Sequence, residues 1–508
     1  MLLNSIPLLA DRRVRLALAA AAGVALSTAF APVNLWPLAL LSPALLMALW
    51  QGAPLRHAAA LGFWFNAGTF TSGTYWLYVS IHQIGGAPLW IAVLSMGAVV
   101  CILSVYGALL GWAAVRALPA SGALRWMAGL PALWLLVEWV RGWFLTGFPW
   151  LSLGYSQTGT WMAGMAPVLG VYGISALLLV GAGALVTLAM GSRREQLLAG
   201  IVLVLIWVVP LSLRGIAWTH AAGAPVSVAI VQGAIPQNEK WQATHRDDQL
   251  DTYRDLTRTV LGAQVIVWPE AALPDIAQNL KEYLLARYHE ANARHSALVI
   301  GVLRQASNGD YFNSVLTMGA GSDWYDKMHL VPFTEAMPGP AWARHWLEVL
   351  DLPYLGFEYG ATDQQPLAAG GLILLPAVCY DDAYGSSNLH MLPAANALVT
   401  VTNDGWFGHS TARYLHVQIA QMRSLETGRY LLRAANDGIS AIIAPDGRVV
   451  AQAPGFVPAV LRGTVVPMLG MPPFARFGNW LIISLATTTL VAILAWGLIV
   501  HGRRNLGS

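Results

Sequence analysis

The chain has 508 residues, with 29 Lys and Arg against 26 Asp and Glu and a formal charge of +3. Charged residues make up only 11% and apolar residues 56%, with 22 tryptophans, whereas soluble domains average about 25% charged. That excludes a disordered chain and an all-soluble one, so small a charge excess excludes a nucleic-acid binder, and two cysteines cannot build a disulfide framework or a zinc site.

Residues 1–213 hold only 12 of the charged side chains. They read as apolar segments near the length needed to cross about 30 Å of hydrocarbon. Spans are expected near 14–31, 35–51, 58–79, 88–115, 125–145, 162–190 and 196–213, and an eighth near 478–501. With the amino terminus cytoplasmic, Arg12, Arg13, Arg15, Arg56, Arg116, Arg125, Arg193, Arg194, Arg503 and Arg504 fall inside. The opposite short loops hold essentially only Arg141. This is a strong positive-inside bias, and it puts the large segment between spans seven and eight outside, in a bacterium the periplasm, with both termini cytoplasmic. Span one lacks a small-residue cleavage site and is expected to be retained. The expected organisation is a transmembrane domain at 1–213, an outer domain at 214–475, and a last helix with its tail at 476–508.

Within the outer segment the pattern changes to short buried runs separated by helical stretches. Val226–Gln232, Val265–Pro269, Leu298–Val302, Val315–Met318, Leu372–Val378, Leu398–Val401 and Ile439–Ala444 read as strands. Helices are expected at about 243–261, 276–295 and 411–434, and Pro445-Asp446-Gly447-Arg448 reads as a hairpin turn. The alternation implies an α/β domain with buried sheets and helices outside.

Cys379 ends the run Leu372–Val378, and the other cysteine, Cys101, lies inside an expected span. A lone cysteine can be a small buried hydrophobe, but a strand end ahead of polar residues suits a nucleophile. A thiol there needs a nearby base or cation. Glu270 follows Val265-Ile266-Val267-Trp268-Pro269 and is either a solvated cap or a site carboxylate. Only three lysines, Lys240, Lys281 and Lys327, stand against 26 arginines. Lys327 lies in an apolar stretch with Glu335 eight residues on, where a compact ammonium suits a tight site. The histidines show no metal spacing.

Taken together, Glu270, Lys327 and Cys379 in that order, each at a strand end or in the loop after it, resemble the triad of the nitrilase superfamily. The flanking Trp268-Pro269-Glu270-Ala271-Ala272-Leu273-Pro274, Lys327-Met328-His329-Leu330-Val331-Pro332-Phe333 and Cys379-Tyr380 sharpen the match. So do Asn403-Asp404-Gly405-Trp406-Phe407-Gly408, the helix with Gln421, Arg423, Glu426, Arg429 and Arg433, then Asn436, and Val231–Gln237 with Trp241. Such a domain between the last two membrane helices is similar to the apolipoprotein N-acyltransferase family, as are Phe30-Ala31-Pro32 and Leu145-Thr146-Gly147-Phe148-Pro149-Trp150.

The resemblance implies a multi-span α-helical membrane domain of about eight helices joined to a nitrilase-like αββα sandwich in the bacterial inner membrane. It implies acyl transfer from a glycerophospholipid, in this family typically phosphatidylethanolamine, through a cysteine thioester. The acceptor is the α-amine of a diacylglyceryl apolipoprotein, and no metal or organic cofactor takes part. Glu270 is then the base, Lys327 the oxyanion cation with a backbone N–H near Tyr380, and Glu335 a supporting carboxylate. The family usually has Glu where this chain has Asp381, which puts any role depending on that side chain's reach in doubt.

Trp143, Phe144, Phe148 and Trp150 are placed for an aromatic rim, and Trp241, Trp406 and Phe407 for an acyl or headgroup route; core packing or interfacial anchoring is the plainer reading of each. Glu138 and Arg141, one turn apart, read as a structural ion pair. Two rival functions share these residues: a membrane-tethered amidase or nitrile hydrolase with water as second nucleophile, and a transporter or structural membrane protein with the insert as a binding module. Seven preceding helices exceed what a tether needs, and spans nearly bare of charge disfavour a transport pathway.

Overall fold

The computed structural model describes residues 11–319, 321–336 and 356–506. The side chains from 500 onward, those of Arg503 and Arg504 among them, lie outside that description. The chain divides into two compact units, Met1–Ile216 with Phe477–Ser508, and Ala217–Arg476.

The first unit is helical. In hydrocarbon every backbone N–H must find its acceptor within its own segment, so long apolar runs become helices. Leu89–Ala117, Trp161–Met190, Arg193–Leu213 and Trp480–Ile499 are long and apolar enough to cross a membrane, by length and composition. The other four expected spans are shorter, more polar or interrupted. Arg12–Ser27 has 16 residues, and Leu38–Leu49 has 12 with Pro43 inside. Leu55–Gly73 has 19 and carries Arg56, His57 and Asn66. The 125–145 stretch is broken into a π-turn, Arg125–Gly129, and the helix Leu130–Arg141. Among the described residues the count of eight is therefore not reached by this measure. Arg193–Leu213 starts on a capping box, in which the Glu195 carboxylate accepts the Ser192 N–H at 2.8 Å. The same carboxylate also accepts the Ala123 N–H at 2.8 Å.

Glycines let three of these helices touch backbone to backbone. A Cβ on Gly62 would lie 2.0 Å from the Gly107 carbonyl oxygen, one on Gly23 1.9 Å from that of Phe65, and one on Gly68 2.2 Å from that of Ala20. Lipid tails are as apolar as leucine, so close packing is what holds such helices together.

Glu138 and Arg141 do not form the expected ion pair; among the described residues no contact of that length joins them. Each engages the segment that follows. Arg141 donates to the carbonyls of Phe148 and Trp150, the latter at 2.8 Å, and to Ser152 Oγ at 3.3 Å. Glu138 accepts from Ser175 Oγ at 2.6 Å and the Leu153 N–H at 3.3 Å. The planar guanidinium spreads its donors over these three oxygens.

The second unit holds two six-stranded sheets and a short antiparallel pair, β1 (His220–Ala221) with β14 (Met468–Leu469). The first sheet runs β13 (Ala459–Val465), β2 (Val226–Gln232), β3 (Val265–Trp268), β4 (Ala297–Gln305), β5 (Tyr311–Met318), β6 (Ser322–Asp326). The second runs β12 (Val449–Gln452), β11 (Ala441–Ile443), β10 (Leu431–Ala435), β9 (Ala397–Thr402), β8 (Leu372–Val378), β7 (Leu367–Ala369). Their centres, β2–β3–β4 and β8–β9–β10, are parallel. Alternate residues face opposite ways. Val228, Ile230, Val265, Val267 and Val299 therefore meet Leu374, Val378, Val399, Val401 and Leu432 in one core. Ala229, Val231, Ile266 and Leu298 lie in a second core with Leu250, Tyr253 and Leu284 of the outer helices Arg246–Arg258 and Lys281–Asn292. Leu398, Leu431 and Ile443 pack with Ala420 of Ala412–Thr427. The result is the helix–sheet–sheet–helix sandwich expected from the resemblance.

The seven expected strands and the hairpin are present, the latter closed by the Ala444 N–H to the Arg448 carbonyl at 2.8 Å. The third helix is shorter than expected. It stops at Thr427, where Gly428 takes a left-handed conformation (φ +63°), and the residues expected to continue it form β10. A left-handed C-terminal glycine is the usual helix stop.

Gly62→Val should force the helices apart and lower the thermal midpoint of the detergent-solubilised protein, by about 1–3 kcal/mol of stability. Gly97→Ala on the same Leu89–Ala117 helix, with nothing within 4 Å of its Cβ position, should leave the midpoint unchanged.

Candidate active site

Glu270 stands at the end of β3, where Pro269, lacking an N–H, ends the strand. The turn lies hard against β4: a Cβ on Gly301 would be 2.6 Å from the Glu270 Cα and 2.2 Å from the Pro269 carbonyl oxygen. Only glycine admits that approach. Glu270 Oε1 accepts from Asn313 Nδ2 at 2.7 Å and lies 3.4 Å from Lys327 Nζ, while Oε2 accepts the Asn403 N–H at 2.7 Å.

Lys327 follows β6. Its N–H donates to the Asn313 carbonyl at 2.9 Å and its own carbonyl accepts the Gly360 N–H at 2.8 Å. Gln364 ties the Asp326 backbone by two bonds of 2.7 and 2.8 Å, and Arg304 and Ser314 hold the Asp326 carboxylate. The Lys327 ammonium, 1% exposed, lies 2.8 Å from Glu335 Oε2 and 2.9 Å from its Oε1. Glu335 is in turn fixed by the Val331 N–H at 2.8 Å and Asn313 Nδ2 at 3.2 Å. Burial works against the ammonium, yet Glu335 and Glu270 together hold its pKa above the ordinary lysine value.

Cys379 follows β8 in a left-handed backbone conformation, φ +50°, uncommon for a side chain other than glycine and typical of functional turns. Its thiol is hydrogen-bonded with Thr402 and lies in the fields of Glu270 and Lys327. Burial pushes the thiol pKa up and the Glu270 carboxylate pushes it further, with Lys327 opposing.

Behind the cysteine, a His416 ring nitrogen lies 3.3 Å from the Cys379 carbonyl and the other 2.9 Å from Asp404 Oδ1. Asp404 also accepts from Thr402 at 3.0 Å and from fully buried Arg433 at 2.7 Å. Burial would raise the Asp404 pKa, but Arg433 and His416 hold it well below the usual carboxylate range.

Asp381 has its reach answered here. It accepts the N–H groups of His329 at 2.6 Å, Val378 at 3.2 Å and Met328 at 3.4 Å, and the Tyr325 hydroxyl at 3.1 Å. It fastens the loop after Lys327 to the turn at Cys379. Tyr380 is buried, edge-on to Tyr384 at 5.3 Å.

The structure thus brings together Glu270, Lys327, Glu335 and Cys379, with Asp381 directly behind. Of the expected substrate aromatics, Trp241 and Trp406 are exposed at the surface of this unit, at 50% and 36%. Phe407 is buried, its ring 6.2 Å from that of His416. Phe148 and Trp150 belong to the helical unit. Trp150, 3% exposed, packs on Trp76 at 5.0 Å and is not a rim residue, whereas Trp143 and Phe144 are half exposed. Asn313 and Lys240 were not singled out as site residues; Asn313 lies in a strand that also carries Ser314 and Thr317. Among the described residues no group of three or more His, Cys, Asp or Glu could hold a metal ion.

Asp381→Ala leaves several buried N–H groups without an acceptor and should cost about 3 kcal/mol of stability, read as a fall in thermal midpoint. Asn313→Ala should keep the fold but slow alkylation of Cys379 by iodoacetamide about tenfold, since both carboxylates lose a shared donor; intact-mass measurement reads this.

Residues 22–184 match the family described as the apolipoprotein N-acyltransferase N-terminal domain, and residues 227–467 match the carbon-nitrogen hydrolases. The chain is 40% identical to an apolipoprotein N-acyltransferase of Methylococcus capsulatus, over 92% of this chain and 93% of that one. It is 41% identical to the protein of that name from Azotobacter vinelandii, over 95% and 94% respectively. With that of Pseudomonas aeruginosa it shares 40% identity over 96% and 98%.

Proposed function

The chain belongs to the apolipoprotein N-acyltransferase family, and from that premise we propose that Cys379 carries the acyl group between a glycerophospholipid and a lipoprotein amine. The protein is a membrane-bound acyltransferase with a nitrilase-like domain. The single observation that carries the residue assignment is the cluster in which Glu270 and Glu335 share the Lys327 ammonium beside the Cys379 thiol.

In the first step Glu270 takes the thiol proton as the sulfur attacks the ester carbonyl of the donor. The oxyanion that forms is met by the Lys327 charge, with a backbone N–H near Tyr380. Collapse expels a lysophospholipid alkoxide, which receives the proton from Glu270 and leaves a thioester. In the second step the neutral α-amine of an S-diacylglyceryl-cysteine attacks the thioester. Its proton passes through Glu270 to the departing thiolate, and the amide is formed with the thiol restored. Glu335 fixes Lys327 through both steps, and no cofactor enters the balance. The donor is phosphatidylethanolamine. Trp241 and Trp406, exposed on the surface of the catalytic unit, would meet lipid chains. The arginine distribution supports an inner-membrane protein with the catalytic domain periplasmic and both termini cytoplasmic.

Incubation with phosphatidylethanolamine vesicles should add one fatty acyl mass to the protein. Cys379→Ala and Glu270→Gln should remove that adduct, and Lys327→Arg should reduce it at least about a hundredfold, a planar fork replacing a point charge. An adduct that persists in Cys379→Ala would overturn the assignment. Loss of the adduct to water in the presence of a diacylglyceryl peptide, with no acylated peptide formed, would favour the hydrolase reading.

A further inference from the structure

Two carboxylates share one ammonium in this site. Glu335 lies 2.8 Å and Glu270 3.4 Å from Lys327 Nζ, so a single buried cation already serves both before any thiolate forms. A second one is close by. Lys240 is 1% exposed, and its Nζ donates to the Glu270 main-chain carbonyl at 3.2 Å. Among the described residues this is its only side-chain hydrogen bond, and no carboxylate lies within ion-pair distance. An ammonium has three donors, and buried polar groups are rarely left so sparsely paired.

The loop that carries Lys240 is built into the site. The Lys240 and Glu239 N–H groups both donate to the Pro236 carbonyl, at 3.1 and 3.0 Å. Asn436 grips the Ile235 backbone through its N–H at 3.2 Å and its carbonyl at 2.8 Å. Gln237 accepts from the side chain of Asn403 at 2.7 Å, and the Asn403 N–H is the donor to Glu270 Oε2. The ammonium and the base are therefore placed by the same residue.

We propose that Lys240 is a positioning residue for acyl transfer: it braces the Glu270 main chain and supplies the second positive charge, so that Glu270, Glu335 and a Cys379 thiolate are not balanced by Lys327 alone. This rests on the triad assignment above. The groups facing Lys240 are Glu270, Asp437 and Cys379, and Asp437 in turn faces Asp404 and Arg413. Burial and Asp404 push Asp437 up to about 7, with Lys240 and Arg413 opposing. Burial pulls Lys240 down to about 8, with Glu270, Asp437 and Cys379 opposing. A lowered amine pKa means that the charge is present below about 8 and lost above it, so the help given to the sulfur fades as pH rises through that value.

The test uses the full-length protein with Cys101, which is exposed, replaced by serine. Alkylation of Cys379 by iodoacetamide is followed against pH by intact mass, together with acyl-adduct formation from phosphatidylethanolamine vesicles and the thermal midpoint. Lys240→Met should slow both alkylation and adduct formation at about pH 7 roughly tenfold, and the two proteins should converge at about pH 9, where the parent amine has lost its charge. Lys240→Arg, which keeps a charge, should hold the parent's alkylation rate at neutral pH. A folded Met variant with the parent's rates at neutral pH overturns the proposal, and so does an Arg variant slowed as far as Met. If the Met variant does not fold, Lys240→Gln takes its place: the same loss of rate at neutral pH supports the proposal, and parental rates overturn it. The triad assignment fails separately, through an adduct that survives Cys379→Ala.

Discussion

The site depends on one ammonium held between two carboxylates. Lys327 has no water to lean on, and a cation so buried persists only where opposite charge and hydrogen bonds replace its hydration. Glu335 does most of that at 2.8 Å, and Glu270 adds a longer contact at 3.4 Å. The closer carboxylate fixes the cation, while the farther one is also held by Asn313 and the Asn403 N–H. Asn313, bonded to both, keeps them apart and in register. The order of the sheet, with β3, β4, β5 and β6 side by side, is what gathers residues far apart in the chain onto one edge of the sandwich.

The cysteine side of the site is held by a different set of forces. The left-handed backbone at Cys379 is offset by bonds on both flanks: His416 at the carbonyl of the cysteine itself and Asp381 at the Val378 N–H. Asp381 reaches across to the loop after Lys327 as well, so the turn at Cys379 and that loop are fastened by one carboxylate. Its shortness relative to the usual glutamate is accommodated because its partners are mostly backbone N–H groups of closely neighbouring turns.

Much of this was legible from the residues alone. Glu270, Lys327, Glu335 and Cys379 stand at strand ends or in the loops after them, and an apolar run that stops at an acid or a thiol is visible without a structure. β2 and β8, apolar over most of their length, match their expected bounds to the residue. β10 does not, because Arg423, Glu426, Arg429 and Arg433 continue a helical spacing past Gly428. Only the left-handed turn there reveals the change of element. Asn313 and Lys240 owe their positions to distant segments, and no local pattern distinguishes a strand asparagine or a loop lysine that converges on a carboxylate from one that does not. The span count suffered from a related cause: hydropathy does not register that an apolar stretch is interrupted by a π-turn at Arg125–Gly129 or cut to 12 residues at Leu38–Leu49.

The polar residues at the end of Leu130–Arg141 have a bearing on how the protein is made. Glu138 and Arg141 find their partners at Phe148–Leu153 and at Ser175, all still inside the ribosome when that helix emerges. Alone in the lipid, each charge would cost about 2.5–3.5 kcal/mol. The polar end of this helix is therefore satisfied only once the segment that follows it has been made.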